Sequence, residues 1–331
     1  MRGFRRFVPG LIVSLVLLYW VFRGLDTTDL MKVYRNLDAP LLFVSATLFI
    51  PMQLFRLGRW ILLTSPLGVV SFREQIRISI VGNALTILLP LRLGEFSRPA
   101  MLKSVSGVPV SSGLGVTALE RVLDGLLISG VFWALIPFMP IAATENKVVF
   151  GAAIGSGLLF STAALALVGM ATRPQWIELV GLQTMGRLAP SLWEKVWELM
   201  KAFVAGLQVL RGPRNILAVF GATVGYWGAN ALVVAGVAAA CGMKLPWVAA
   251  PLILCVLVFA IMLPSAPGFL GTYQAALVLG LSLFDYQAGQ AATYAMVLYP
   301  LNMLLMVGMA LPYVGGISDV VAQTKDAFRH S

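Results

Sequence analysis

Ionisable side chains interrupt strongly apolar sequence in the first 124 residues of the chain. They are Arg56, Arg59, Arg92, Glu95, Arg98, Glu120, Arg121 and Asp124. Charged groups inside a bilayer are costly, and they normally face one another or a water-filled cavity. Because Glu120 and Asp124 are four residues apart, a helix places both carboxylates on one face and Arg121 about 100° away from Glu120. Nearby arginines are therefore expected to supply the compensating charge.

The arginines of this cluster outnumber the carboxylates. Five guanidinium groups against three carboxylates leave 5 − 3 = 2 positive charges. One interpretation is a buried salt-bridge network that holds a broken helix in register. The other is a binding site for a phosphate, because a planar guanidinium offers paired hydrogen-bond donors. In the second case an anionic headgroup balances the excess charge.

A second polar motif lies in the stretch LPSAPGFLGTYQAA, which starts at Leu263. Its prolines and glycines predict a break, followed by a new half-helix that begins near Phe269. The first N–H groups of a helix favour an anion, and glycine permits close approach of the backbone. The alternative is a simple proline kink. Together with Asn83, which is expected to open the first broken element, the candidate binding residues are Ser265, Gly268, Gly271, Tyr273 and Gln274.

The composition indicates an integral membrane protein. Of the 331 residues, 59% are hydrophobic and only 11% are charged, and the mean hydropathy is +0.88. Soluble domains average about 45–50% apolar and about 25% charged residues. No metal-ligand spacing, cofactor motif or nucleotide-binding loop occurs, so the sequence predicts no cofactor and no bound metal. The net charge of +10 fits a membrane protein, and we expect no nucleic-acid partner.

Apolar runs of about 20 residues predict membrane-spanning helices. These lie near 8–23, 40–63, 113–139, 148–171, 214–240 and 288–313. Two further apolar stretches, near 79–106 and 246–284, are broken by proline, glycine and charge. The first is predicted to be re-entrant, which a bilayer tolerates only where protein or water covers the backbone. The second is either a hairpin or a pair of short spans.

The two broken stretches are similar to each other at an offset of 174 residues, and the flanking apolar segments repeat at about the same offset. The predicted fold is therefore an all-α polytopic membrane protein built as an inverted repeat with two broken or re-entrant elements. Rocking of such repeats is a known route to alternating access. The expected divisions are a first repeat at 1–140, a linking transmembrane helix at 141–181, a second repeat at 182–314 and a cytoplasmic tail at 315–331.

Lysine and arginine concentrate on one side of the predicted spans, which orients the chain in the membrane. With this side facing the cytoplasm, both termini are cytoplasmic and the protein is a multi-pass protein of the plasma (inner) membrane. The two broken elements then enter from opposite sides. The segment 188–210 alternates aromatic and charged residues at helical spacing, so it is predicted to lie along the cytoplasmic interface.

Three strings resemble a known family. They are NALTILLPLRLGEFSRPAML from Asn83, the ERVLD of Glu120 to Asp124, and PSAPGFLGTYQAAL from Pro264. Together they are similar to the lysylphosphatidylglycerol synthase transmembrane domain family, which includes the flippase portion of the bacterial multiple peptide resistance factor. The resemblance implies a polytopic lipid translocase. Where many relatives carry a glutamate after the proline-glycine turn, this chain has Gln274, and it lacks the soluble synthase domain of the fused members.

The leading functional hypothesis is a flippase that moves the headgroup of an anionic or lipid-linked molecule through a polar cavity between the repeats. The expected partner is a membrane lipid, and a lipid-modifying enzyme is a possible second partner. Two alternatives remain open. One is a non-transporting scaffold for such an enzyme, and the other is a membrane-embedded lipid transferase with Glu95 or Asp124 as general base. The transporter hypothesis predicts that the protein is not an enzyme.

Overall fold

A computed structural model shows an all-α protein. It describes residues 15–19, 21, 31, 34–89, 94–140, 144–184, 187, 190–207, 212–262 and 266–316, and within these ranges it contains no strand. Five helical segments are long and apolar enough to cross a membrane: Ala39–Leu67, Val110–Phe138, Lys147–Thr172, Pro213–Ala240 and Ala288–Tyr313. They confirm five of the predicted spans. The predicted span at 8–23 lies mostly outside the described residues, as does the predicted tail.

The first of these segments contains two consecutive helices, α1 (Ala39–Thr47) and α2 (Phe49–Thr64). Helix α1 begins at Ala39, with Pro40 as its second residue. The preceding residue, Asp38, caps the helix: its side chain accepts a hydrogen bond from the N–H of Leu41 at 2.9 Å. An aspartate cap followed by proline is a favourable start for a helix. Arg56 and Arg59 lie within α2.

The first broken element is a pair of short helices that pack against each other, α3 (Phe72–Leu88) and α4 (Ser97–Ser106). It begins at Phe72, seven residues before the predicted start, so Asn83 lies inside α3 and does not open the element. Gly94 lets the chain return closely, because a Cβ atom there would collide with the backbone of Leu85 and Thr86.

Two long helices follow, α5 (Val110–Leu135) and α6 (Lys147–Thr172). They pack along each other, with the hydroxyls of Ser129 and Ser156 3.3 Å apart and with Gly125 against the ring of Phe160. Small and hydroxylated residues are typical of helix contacts within membranes. Helix α6 links the two halves of the chain.

The segment after α6 forms α7 (Pro174–Gln183) and α8 (Pro190–Ala205). Helix α8 is the most strongly amphipathic helix of the part that the structure describes, and the rings of Trp193 and Trp197 stack at 5.7 Å. It packs on the start of α5, where Gly206 lies against the backbone of Ser112. The helix predicted within 188–210 is thus present, and its place at the membrane surface stays a prediction.

The second half consists of α9 (Pro213–Ala240), α10 (Ala249–Ile261), α11 (Thr272–Ser282) and α12 (Ala288–Ala310). Helices α10 and α11 contain 13 and 11 residues and pack against each other. At 1.5 Å per residue they reach about 20 Å, whereas the hydrocarbon core is about 30 Å thick. Because neither helix is long enough to span that core, we expect a hairpin rather than two spans and refer to this element as the second hairpin.

The packing of the helices repeats along with their order. Helices α2, α3, α4 and α5 contact one another in the same combinations as α9, α10, α11 and α12. Contacts between the halves are reciprocal as well, because α5 packs on α10 while α12 packs on α3, and α2 packs on α9. Such reciprocity is expected when two similar units meet around a two-fold axis. The opposite orientation of the two units in the membrane remains a prediction.

The contact between α2 and α9 is the most extensive contact between helices of the two halves. Gly225 lies against the ring of Phe55 on α2, and Gly236, further along α9, lies against the side chain of Ser45 on α1. Glycine at both points brings the helix backbones close together, as in other membrane helix pairs. We refer to this contact as the α2–α9 seam.

Candidate functional site

Three helices of the first half form a buried ion network. Arg59 on α2 lies 2.5 Å from Asp124 Oδ1 and 2.6 Å from Glu120 Oε1, and both carboxylates are on α5. Arg98 on α4 lies 2.7 Å from the other oxygen of Glu120. The side chains of Arg59 and Glu120 are fully buried. This arrangement matches the expected common face of the two carboxylates, and it ties α2, α4 and α5 together.

Aromatic and small residues complete the surroundings of these guanidinium groups. The Arg98 guanidinium lies 4.8 Å from the centre of the Trp60 ring, and Gly82 on α3 leaves space for the Arg98 side chain. The interaction between a cation and an aromatic face is stronger where water is excluded. Arg98 is thus placed by packing as well as by charge.

Arg121 also joins the network. Its Nη2 atom lies 3.4 Å from Asp124 Oδ2 and 3.8 Å from Glu120 Oε1. The backbone of α5 directs Arg121 away from the face that carries the two carboxylates, but the long side chain of Arg121 reaches back to both of them. Arg59, Arg98 and Arg121 against Glu120 and Asp124 give 3 − 2 = 1 positive charge in the network.

The second half of the chain contributes directly to this network through α9. Trp227 Nε1 donates a hydrogen bond to Asp124 Oδ1 at 2.9 Å, and Arg59 Nη1 donates to Thr223 Oγ1 at 3.5 Å. The Tyr226 ring lies 5.4 Å from the guanidinium of Arg59. The network therefore spans both halves.

A cavity with a water-accessible volume of about 170 Å³ opens beside the network. It is lined by residues of both halves, from α2, α3, α5, α9, α10 and α12 and from the second hairpin. The polar and aromatic residues that line it are Phe49, Arg56, Asn83, Thr86, Glu95, Arg121, Asp124, Tyr226, Trp227, Asn230, Phe269, Tyr273 and Asn302. A polar cavity between two repeats is the expected place for a transported group.

Arg56 differs from the other arginines of the cavity and network. Among the described residues, no carboxylate forms an ion pair with it, and its buried Nε atom has no hydrogen-bond acceptor there. Its guanidinium lies 5.6 Å from the centre of the Tyr226 ring and lines the cavity. Its charge is thus available to an anion that enters the cavity.

Asn83 lines the same cavity from α3, although its side chain is only 2% exposed. Its Oδ1 atom has no hydrogen-bond donor among the described residues. Buried polar atoms are normally paired in folded proteins, so an exception indicates a place for a water molecule or a ligand. The position of Asn83 is consistent with the predicted binding role, although the residue lies inside α3 and not at the start of the broken element.

The turn of the second hairpin departs from the prediction. The chain takes positive φ angles at Gly268 (73°), Phe269 (57°) and Gly271 (83°), and α11 begins at Thr272 rather than near Phe269. Glycine makes such backbone angles accessible at two of these positions. Phe269 lines the cavity, and the hydroxyl of Tyr299 donates to the carbonyl of Gly268 at 3.0 Å.

Gln274 does not line the cavity. It is buried, and its Oε1 atom accepts a hydrogen bond from the N–H of Gly271 at 2.8 Å, which caps α11. The expectation that Gln274 binds a headgroup is therefore not supported by its position. Gly268 and Gly271 likewise form the turn outside the residues that line the cavity, whereas Tyr273 lines it and accepts a hydrogen bond from Asn302 at 2.9 Å.

Two predicted site residues, Arg92 and Ser265, lie outside the described residues. Glu95 is described and lines the cavity. No group of three or more His, Cys, Asp or Glu side chains with metal-binding geometry occurs within the part that the structure describes.

Sequence reasoning missed the contribution of α9. Thr223, Tyr226, Trp227 and Asn230 follow the spacing of one helix face and contact the network or line the cavity. The signal was present, because this run of four side chains with polar atoms interrupts one face of an apolar span. It was overlooked because none of the four carries a charge.

Comparison with known proteins places these features in a family. The sequence model of the family described as "Lysylphosphatidylglycerol synthase TM region" matches residues 7–310. The chain is also similar to a protein named Glycosyltransferase AglD from Haloferax volcanii, with 25% identity over 353 aligned residues. That alignment covers 95% of this chain and 54% of the relative, so the chain spans about half the length of the relative. No solved structure matches the chain.

Proposed function

Because this multi-pass membrane protein belongs to the lysylphosphatidylglycerol synthase transmembrane family, we propose that it moves a lipid between the leaflets of the bilayer. The headgroup crosses through the polar cavity while the hydrocarbon chains remain in the membrane. The observation that carries this proposal is Arg56, a guanidinium that faces the cavity without an ion-pair partner among the described residues. Arginine is well suited to bind a phosphate oxygen.

In this proposal the arginines and carboxylates of the first half serve both as a buried salt-bridge network and as a phosphate-binding site. Arg59, Arg98, Glu120 and Asp124 hold the helices in register, and Arg56 binds the headgroup. Removing one partner of a buried ion pair leaves an uncompensated charge, so the network is expected to be fixed during transport. The substrate contact is expected at the cavity surface rather than in the network.

The order of the spans supports an inverted arrangement. If the five candidate spans cross the bilayer and neither hairpin does, Ala39–Leu67 and Pro213–Ala240 run in opposite directions. Each hairpin then enters from its own side, and their inner ends meet near the cavity. We propose that both termini lie in the cytoplasm and that the protein resides in the plasma (inner) membrane.

An apolar groove supports a path for the hydrocarbon chains. It has a volume of about 520 Å³, lies between α5 and α9, and is lined by Leu119, Leu123, Pro213, Ile216, Leu217, Val219 and Phe220. On α9, Phe220 lies two turns before Trp227 on the same helix face, about 10 Å away. The apolar groove and the polar cavity therefore follow one another along one helix.

The proposal is tested by reconstitution into liposomes that contain phosphatidylglycerol with a fluorescent acyl chain. Dithionite bleaches the outer leaflet, so lipid translocation removes the protected inner-leaflet fluorescence. We expect rapid loss with the wild-type protein and little loss with Arg56→Gln. Arg214→Gln, at the exposed start of α9, is the matched control. Protected fluorescence equal to that of empty liposomes would contradict the proposal for this lipid.

The name of the Haloferax relative favours one second candidate, a membrane-embedded transferase. Against Asp124 as its general base, the oxygens of this carboxylate are already occupied by contacts with Arg59, Arg121 and Trp227. Transfer of a radiolabelled sugar to a polyprenyl phosphate by the purified protein would support this candidate. A non-transporting scaffold, by contrast, would keep pathway output in cells that carry Arg56→Gln.

A further inference from the structure

Two residues that line the cavity carry buried polar atoms of complementary kinds. Arg56 Nε is a donor without an acceptor, and Asn83 Oδ1 is an acceptor without a donor, among the residues that the structure describes. Both residues line the cavity. Leaving such atoms unpaired away from water is unfavourable, so the cavity is complementary to a group that supplies an acceptor and a donor.

A second unpaired acceptor lies next to Asn83. Gln53 on α2 is 8% exposed, and its Oε1 atom has no donor in the described ranges, while its Nε2 atom faces the sulfur of Met306 at 3.2 Å. Gln53 and Asn83 share a smaller pocket of about 150 Å³ between α2 and α3. Asn83 therefore connects this pocket with the main cavity.

The local charge decides which donor suits these carbonyl oxygens. Arg56 and Arg121 line the cavity, and Asp124 is already paired with arginine. Arg121 also interacts electrostatically with Glu95. An ammonium group near Asn83 would add a further positive charge beside Arg56 and Arg121, and charge repulsion is strong at low dielectric. A neutral hydroxyl group donates a hydrogen bond without this cost.

We propose that the cavity selects a headgroup that consists of a phosphate and a neutral, hydroxyl-bearing group such as glycerol, inositol or a sugar. The phosphate binds Arg56, and the hydroxyls donate to Asn83 Oδ1 and Gln53 Oε1. Asn230 and Asn302 line the cavity and offer further amide groups. This inference rests on the proposed translocation and specifies its substrate class. The chemistry is shared by glycerophospholipids and by polyprenyl-phosphate sugars.

The test uses liposomes with the full-length protein and acyl-labelled phosphatidylglycerol, phosphatidylinositol, phosphatidic acid or phosphatidylethanolamine. We expect the two hydroxyl-bearing lipids to cross fastest. Asn83→Leu should slow them about tenfold and phosphatidic acid at most about twofold, because only the hydroxyl-bearing groups lose a partner. Asn215→Leu, at an exposed asparagine of α9, is the matched control. Two unlabelled competitors, polyprenyl-phosphate glucose and polyprenyl phosphate, distinguish the two sources of this headgroup chemistry. Stronger inhibition of phosphatidylglycerol transport by the glucose-bearing lipid would indicate polyprenyl-phosphate sugars, and no inhibition by either would indicate glycerophospholipids.

A second variant keeps the test decisive if Asn83→Leu fails to fold. Asn83→Asp retains the shape of the side chain and adds a negative charge, so it should shift the preference toward phosphatidylethanolamine. If the wild-type protein transports all four lipids equally, or if Asn83→Asp keeps the wild-type order, the inference is overturned while the proposed translocation stands. If no lipid crosses, the translocation itself fails.

Discussion

Trp227 and Asp124 join the two halves of the protein through one hydrogen bond of 2.9 Å, from the indole N–H of α9 to a carboxylate oxygen of α5. The same oxygen lies 2.5 Å from Arg59. A single carboxylate thus receives donors from both halves of the chain. The ion network of the first half and the packing of the second are therefore energetically linked.

Replacing Trp227 by phenylalanine should test this link. The ring volume is largely kept, but Asp124 loses one donor, and hydrogen bonds to charged groups contribute about 1.5–3 kcal/mol. We expect lower thermal stability in detergent and slower lipid translocation. Trp247→Phe, at a ring that is 69% exposed, is the control and should change neither measurement. Equal melting temperatures for wild type and Trp227→Phe would show that the contact is not stabilising.

Asp124→Asn should be the more damaging change. Arg59 would keep its charge while losing its closest carboxylate, and breaking a buried ion pair in this way costs about 3–5 kcal/mol. We expect a poorly folded protein, measured by size-exclusion chromatography and thermal unfolding. Glu198→Gln breaks the exposed pair with Lys201 and should have little effect. A monodisperse and active Asp124→Asn variant would argue against a structural role for the network.

Gly94→Ala should displace the first hairpin. The added Cβ atom would collide with the backbone of α3 at Leu85, and overpacking of this kind costs about 1–3 kcal/mol. Since Glu95 follows directly, we also expect slower translocation. Gly58→Ala on α2 is a matched control, because its Cβ atom meets nothing within 4 Å and alanine favours a helix. Its thermal stability should be unchanged or slightly higher.

The inverted orientation predicts that the outer ends of the two hairpins are accessible from opposite sides of the membrane. With Cys241 and Cys255 replaced by alanine, a single cysteine at Ser104 should react with a membrane-impermeant maleimide only from the cytoplasmic side. A cysteine at Ser282 should react only from the other side. Both serines are exposed near hairpin ends. Labelling of both from one side of intact cells or inverted vesicles would exclude the inverted arrangement.

The spans and the two interruptions were predictable because a bilayer demands long apolar runs, and proline, glycine and charge break them. The pairing of Arg59 with Glu120 and Asp124 followed from the cost of isolated charge in an apolar setting. The contribution of Trp227 did not, because an aromatic residue in a span is usually packed against apolar neighbours. Gln274 was misjudged for a related reason, since its role in capping α11 depends on where the helix begins.

The α2–α9 seam restricts the movements that the proposed translocation can use. Gly225 brings α9 close to Phe55 of α2, Gly236 brings α9 close to Ser45 of α1, and Trp227 adds a polar link from α9 to the network that holds α2. Rocking of entire halves would have to separate these close contacts in every cycle. Movement of α10 and α11 against a stationary α2–α9 pair would leave these contacts and the pairing of Arg98 with Glu120 intact, so we expect the second hairpin to be the part that moves in the transport cycle.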